Sequence, residues 1–383
     1  MKGHAKADGE RGRLLRAARR LIVKVGTTTV TGAEGELCAE RVEPIARSIA
    51  ALMKSGRQVV LVSSGAVGLG RGWLGLHRSR LNDMATKQAC AAVGQSLLMN
   101  AYKAVFAAWD VKVAQVLLTE GDFTEWRRYS NLRHTIEKLL GFGVLPIVNE
   151  NDTVSTAELE TIAAGAAGAA GASGGRAGFS DNDRLAALVM SGLEADALIL
   201  LTNVDGLLRR SDSGAPAAIP LVEQITPELR ALALGASAGG RGGMQTKLDA
   251  AEIAMKCGGT AVIANGGSPH VLERILDGER AGTAFLPAKR INGKRRWIAY
   301  AAGVRGKVVV DAGAHRAITQ GKASLLASGI VRIENHFAPM DVVSILDGEG
   351  REFARGIANC ASQDAGASRV LVNRDNIVLM ESL

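Results

Sequence analysis

The chain predicts an α/β fold, a three-layer α/β/α sandwich around a mainly parallel central sheet, followed by a small β-barrel. Three observations carry that reading. Hydrophobic residues fill 47% of the 383 positions but aromatics only 4%, so the core must be aliphatic. Six short apolar runs rich in β-branched residues alternate with segments whose apolar residues recur at three- and four-residue spacing, the pattern of successive strand and helix units. Past Pro287 that alternation gives way to short strand-like runs spaced by glycines.

In chain order, residues 1–20 hold seven basic against two acidic side chains, and Asp8, Glu10 and three glycines spoil an amphipathic pattern, so a flexible basic extension is expected. LIVKV (21–25), QVVLV (58–62), VKVAQVLL (111–118), VLPIV (144–148), DALILL (196–201) and TAVIA (260–264) read as strands buried on both faces of a parallel sheet. Segments near 41–55, 84–108, 132–140, 182–192 and 244–256 supply the crossover helices, and together these elements delimit a domain over 21–286. Within it, residues 161–180 contain eight alanines and six glycines with Arg176 the only charge, which reads as a flexible surface loop, a weak alanine helix being the alternative. AKRINGKRRW lies in a linker over 287–303. VRGKVVVD, GIVRIEN, DVVSILD, EFARGIAN and NIVLM then form an all-β barrel over 304–383.

Composition removes several classes. Cys38, Cys90, Cys257 and Cys360 show no CxxC spacing and the six histidines no HxxxH pair, so neither a zinc site nor a disulfide framework is expected and a reducing compartment is favoured. No run of ~18 strongly apolar residues exists and no signal-peptide pattern opens the chain, so a cytoplasmic protein that makes no use of a membrane is expected. The net charge is +8, of which only +3 lies beyond residue 20, a weak argument for nucleic acid.

Ligands gather at the carboxyl ends of the strands in an open parallel sheet. Lys24 stands inside the first apolar run, where burying an ammonium costs several kcal/mol unless an anion faces it; the alternative is an edge lysine whose head reaches water. Ser63, Ser64 and Gly65 follow the second run, Asn149 to Asp152 the fourth, and Thr202 and Asn203 close the fifth. Asp181, Asn182 and Asp183 open one helix, and GRGGMQTK (240–247) precedes another. Glycine-rich turns bring backbone N–H groups close to anions and point to a phosphorylated ligand. Helix capping is the competing role for Asp181 and Asp183, and simple solvation at a helix start competes for Lys247. No GxxxxGK[ST] loop and no HRD or DFG element is present, and the one GxGxxG, at Gly70, Gly72 and Gly75, lies beyond its strand and reads as a chance match.

LIVKVGTT, VVLVSSGAVGLG, KQACAAVGQ, VLPIVNENDTVSTAE, DNDRLAALVM, LLTNVDGL and GRGGMQTKLDAA, in that order, resemble the glutamate 5-kinase branch of the amino-acid kinase family. VDAGAHRAI (310–318) and GKASLLASGIVRIE (321–334) are similar to a PUA domain. The resemblance implies ATP-dependent phosphorylation of the γ-carboxylate of L-glutamate to γ-glutamyl phosphate, the first step toward proline, with Mg²⁺ accompanying ATP. It implies that Lys24 binds ATP phosphate and stabilises the transferring group, that Lys247 acts on the nucleotide side, and that Asp183 holds both lysines. Ser64, Asp152, Asp181 and Asn182 are then the glutamate-binding residues. Thr202, Asn203, Arg241, Gly242, Gly243, Met244, Gln245 and Thr246 join the lysines around the nucleotide, and no residue is assigned to a metal. A homo-oligomer and feedback inhibition by proline are further implications.

Some positions depart from the family pattern. Asn203 stands where Asp is usual, Arg241 where Thr is common, Gln245 where Ser is usual and Met340 where PUA domains have Gly, and the Ala/Gly-rich run becomes an insertion before Asp181. Two other readings compete. One is a sibling amino-acid or nucleotide kinase, and the other a degenerate kinase whose PUA-like domain binds RNA, although residues 295–383 balance 11 basic against nine acidic side chains.

Overall fold

A computed structural model describes residues 2–32, 36, 38–77, 80–81, 83–154, 182–211, 214–233, 243–288, 293–321, 323–366 and 370–380. The chain divides into two compact units, Met1–Glu120 with Asn131–Arg290, and Gly121–Ser130 with Ile291–Leu383. The Ala/Gly-rich run at 161–180 lies outside the described residues.

In chain order the elements up to Arg290 are α1 (Lys2–Ala17), β1 (Arg20–Val25), α2 (Thr27–Val30), α3 (Ala39–Lys54), β2 (Gln58–Val62), α4 (Ala66–Trp73), α5 (Met84–Ala107), β3 (Val113–Leu118), α6 (Gly121–Thr124), α7 (Trp126–Gly141), β4 (Leu145–Glu150), α8 (Asn182–Leu193), β5 (Ala197–Thr202), β6 (Leu208–Ser211), β7 (Gly214–Ala218), β8 (Leu221–Val222), α9 (Pro227–Leu232), α10 (Met244–Lys256), β9 (Thr260–Asn265), α11 (Val271–Leu276) and β10 (Thr283–Phe285). Eight strands pair in the order β3-β4-β2-β1-β5-β9-β10-β8, parallel except between β9 and β10. All six runs expected as strands are in this sheet. The ones that periodicity missed, β8 and β10, are two and three residues long, too short to display a period.

β1 occupies the middle because it is apolar on both faces: Leu21, Ile22 and Val23 have no exposed surface. Lys24 falls opposite Val62 of β2 on one side and Leu200 of β5 on the other. From β1 the chain continues to β2 on one side and later returns to β5 on the other, so the connections diverge around the carboxyl end of β1 and leave the crevice in which ligands sit.

The expected flexible extension is instead helical. In α1, Leu15 and Arg11 are fully buried, and the Arg11 guanidinium donates to the carbonyls of Glu279 and Ala281, while Arg16 Nη1 donates to Asp277 O at 2.7 Å. The close approach is set by Gly278: a Cβ there would lie 2.7 Å from Gly12 Cα, so only glycine at 278 lets α1 come this near.

The second unit contains α12 (Gly293–Arg296), a π-helical turn over Trp297–Ala301, β11 (Val304–Val310), α13 (Ala312–Gly321), β12 (Leu325–Leu326), β13 (Ile330–Glu334), β14 (Val342–Leu346), β15 (Glu352–Ala358) and β16 (Val370–Leu379). Its six strands pair as β12-β16-β15-β14-β11-β13 and curl as a half-barrel around Val308, Val343, Ile345, Phe353 and Leu371. The tail is not all β, because Asp311 Oδ1 accepts from Ala314 N at 2.7 Å and starts α13. Within the span expected as a linker over 287–303, Arg296 and Ala299 are buried. Trp297 and Ile298 are buried as well, and Trp297 Nε1 donates to Phe123 O at 2.8 Å beside Trp126 and Tyr129.

Candidate active site

The carboxyl end of β1, the start of α8 and the start of α10 bring three charges together. Asp183 has no exposed surface; Lys24 Nζ lies 2.7 Å from its Oδ1 and Lys247 Nζ 3.0 Å from its Oδ2. Thr246 Oγ1 stands 3.1 Å from the same Oδ2. Lys24 and Lys247 are buried and ion-paired, not extended into water, and each oxygen of Asp183 faces an ammonium group. The arrangement fixes two cations at one point, which suits stabilisation of charge on a transferring anionic group.

Beside it runs a network of neutral polar groups. Gly65, at φ 105°, turns the chain between β2 and α4, a left-handed conformation that glycine tolerates, and so presents Ser63 and Ser64. Asn182 Nδ2 faces three acceptors, Ser63 O at 2.7 Å, Ser64 Oγ at 2.8 Å and Asn149 Oδ1 at 2.9 Å. Asn149 Nδ2 in turn donates to Gln95 Oε1 at 2.9 Å, and Ser63 Oγ lies 2.7 Å from Tyr102 OH, whose ionisation burial pushes up. Two buried atoms of this network, Asn182 Oδ1 and Gln95 Nε2, have no hydrogen-bond partner among the described residues. One is an acceptor and the other a donor, the pair that an ammonium and a carboxylate would satisfy.

Gln95 and Tyr102, both on α5, are site residues that sequence reasoning missed. The only signal was KQACAAVGQ, where the glutamine passes for an ordinary polar helix position. Asp152 stands half-buried in the turn after β4. Thr202 Oγ1 donates to Asn203 Oδ1 at 3.4 Å at the end of β5, with Asn203 exposed. Gly243 caps α10, followed by Met244 and Gln245, whose Nε2 donates along the helix to Asp249 at 3.3 Å. Asp181, Arg241 and Gly242 lie outside the described residues. The first glycine of the GxGxxG match has a packing role: a Cβ on Gly70 would fall 1.8 Å from Cys90 O, so α4 and α5 meet backbone to backbone.

Among the described residues no group of three metal-ligating side chains occurs, and Asp183 is committed to its lysines. Nor is any helix among them long and apolar enough to cross a membrane. A parallel sheet whose central strand ends in a paired lysine, flanked by small polar turns, defines an α/β protein with a site for an anionic small molecule. The amino acid kinase family model matches residues 19–265 and the PUA domain model residues 306–368. A glutamate 5-kinase of Moorella thermoacetica is 42% identical over 389 aligned positions, 96% of this chain and 97% of that one. One of Myxococcus xanthus is 46% identical over 349 positions, 90% and 87% of the two chains. The chain belongs to the amino acid kinase family, within it to the glutamate 5-kinases.

Proposed function

We propose that this chain transfers the terminal phosphoryl group of ATP to the γ-carboxylate of L-glutamate, giving γ-glutamyl phosphate and ADP on the way to proline. The observation that carries the reading is the pair of buried lysines held on opposite oxygens of Asp183. A carboxylate is already a nucleophile at neutral pH, so its oxygen attacks the γ-phosphorus while the bond to the β–γ bridging oxygen breaks, and no proton has to be removed. Catalysis then reduces to alignment and charge stabilisation, Lys24 acting on the transferring group and Lys247 on the nucleotide.

Glutamate is held by the neutral network. Asn182 Oδ1 accepts from the substrate ammonium and Gln95 Nε2 donates to a substrate carboxylate oxygen, with Ser64, Asp152 and Asp181 completing the pocket. Thr202, Asn203 and the residues from Arg241 to Thr246 take the nucleotide. Mg²⁺ would accompany ATP as part of the substrate and would supply charge neutralisation there beside Lys24 and Lys247. The same reading carries a cytoplasmic location, consistent with four free cysteines, and a homo-oligomer inhibited by proline, both following from the family resemblance.

ADP release measured in parallel with glutamate, aspartate, N-acetylglutamate and UMP tests the substrate, with glutamate alone expected to sustain turnover. Lys24→Ala is expected to lower kcat by about 10²-fold or more with little change in the glutamate KM. Turnover near wild type in that variant would remove Lys24 from the mechanism.

A further inference from the structure

We propose that the second unit carries a separate binding site for a nucleoside phosphate, in an open cavity of about 950 Å³ whose lining includes Trp126, Trp297, Arg127 and Arg305. The volume lies at the upper end of the range for small-molecule sites, ~300–1,000 Å³. No residue of the proposed active site lines it, so the inference is independent of the catalytic reading.

Charge selects an anion. The cavity's carboxylates are already engaged: Glu125 Oε2 lies 3.2 Å from Arg128 Nε, and Asp341 Oδ2 accepts from Ala338 N at 2.8 Å. Lys294 Nζ donates to Asn376 Oδ1 at 2.7 Å. Arg127 and Arg305 differ from these. Both are exposed, and neither has an ion-pair partner among the described residues. A guanidinium in that state offers a planar fork that matches phosphate oxygens two at a time.

The aromatic lining selects the other half of the ligand. Trp126 leaves 44% of its surface exposed, yet its ring is held by Trp297 at 5.2 Å, edge on, and by Tyr129 at 5.8 Å. A rigid, solvent-facing indole is a stacking platform for a flat heterocycle, and base stacking on such rings needs no particular base. Met340, 66% exposed, adds a polarisable side chain to the lining. A plain carboxylate metabolite would leave the indole unused. A long RNA strand would need a continuous cationic track, and the near balance of 11 basic and nine acidic residues over 295–383 does not supply one. A single nucleoside phosphate, free or as the end of a strand, uses both features.

The test titrates the full chain with AMP, GMP, CMP, UMP, inorganic phosphate and a ten-residue oligoribonucleotide, following tryptophan fluorescence, with two of the four tryptophans in the cavity. Saturable quenching by nucleoside monophosphates is expected. Arg127→Ala and Arg305→Ala should each weaken it about tenfold while leaving glutamate-dependent ADP release intact, and Trp126→Leu should weaken nucleotides but not inorganic phosphate. Lys24→Ala should leave the quenching unchanged. An oligoribonucleotide binding more than about tenfold tighter than the mononucleotides would identify a strand end as the source, and equal affinity a free nucleotide. The proposal fails if no monophosphate saturates, if phosphate alone binds as well as the nucleotides, or if Lys24→Ala abolishes binding that Arg305→Ala leaves intact.

Discussion

Both oxygens of Asp183 face ammonium groups in a place without solvent. Deleting one member of a buried ion cluster strands the others, at a typical cost of about 3–5 kcal/mol. Asp183→Ala is therefore expected to lower Tm steeply as well as to abolish turnover, and an unchanged melt would mean that the lysines do not depend on this carboxylate. Gln95 has a different signature. Its Oε1 fixes Asn149 while its Nε2 waits for a partner, so Gln95→Leu is expected to raise the glutamate KM about tenfold or more with a smaller effect on kcat. Initial rates over a range of glutamate concentrations decide this, and an unaltered KM would take Gln95 out of the substrate pocket.

At the scale of elements, the approach of α4 to α5 is the tightest constraint around the site. A Cβ at Gly94 would stand 1.7 Å from Ala66 O, and one at Gly70 as close to Cys90 O, so neither helix can accept a methyl group without moving. Because α4 begins at the Ser63–Gly65 turn and α5 carries Gln95 and Tyr102, separating them displaces the network from both sides. Gly70→Ala is expected to cost roughly 2–3 kcal/mol, at the upper end of overpacking, and to raise the glutamate KM. Chemical denaturation with initial-rate kinetics would check it, and a neutral substitution would show that the helices can slide apart freely. Gly70 belongs to a dinucleotide-binding pattern in sequence, but its neighbours assign it to packing.

For the whole molecule, the division into units gives a prediction about truncation. A chain ending before Ile291 retains every residue proposed for the active site, so phosphoryl transfer should survive. Yet Phe123 and Tyr129 are buried, and Trp297, which that truncation removes, accounts for part of their cover: its ring lies 6.5 Å from that of Tyr129 and its Nε1 bonds to Phe123 O. The shortened protein is expected to be active but prone to aggregate through these uncovered aromatics. Light scattering beside ADP release would check both halves; a truncated chain that stays folded and monodisperse but inactive would place essential contacts after residue 290.

What the amino-acid sequence determined by itself was the central sheet, its crossover helices and the need for an anion beside Lys24. Strands buried on both faces must be continuously apolar, so each announces itself, and a lysine inside one, such as Lys24, demands an anion wherever the chain then goes. Local pattern reports which face of an element is buried but not by what. Only the tertiary structure decided that α1 docks through Gly12 and Arg11, that Trp297 bonds to Phe123, and that Gln95 reaches Asn149, 54 positions away. Each of these depends on a return of the chain from far along the sequence, and neither propensity nor periodicity within a short window can register a partner that lies outside it.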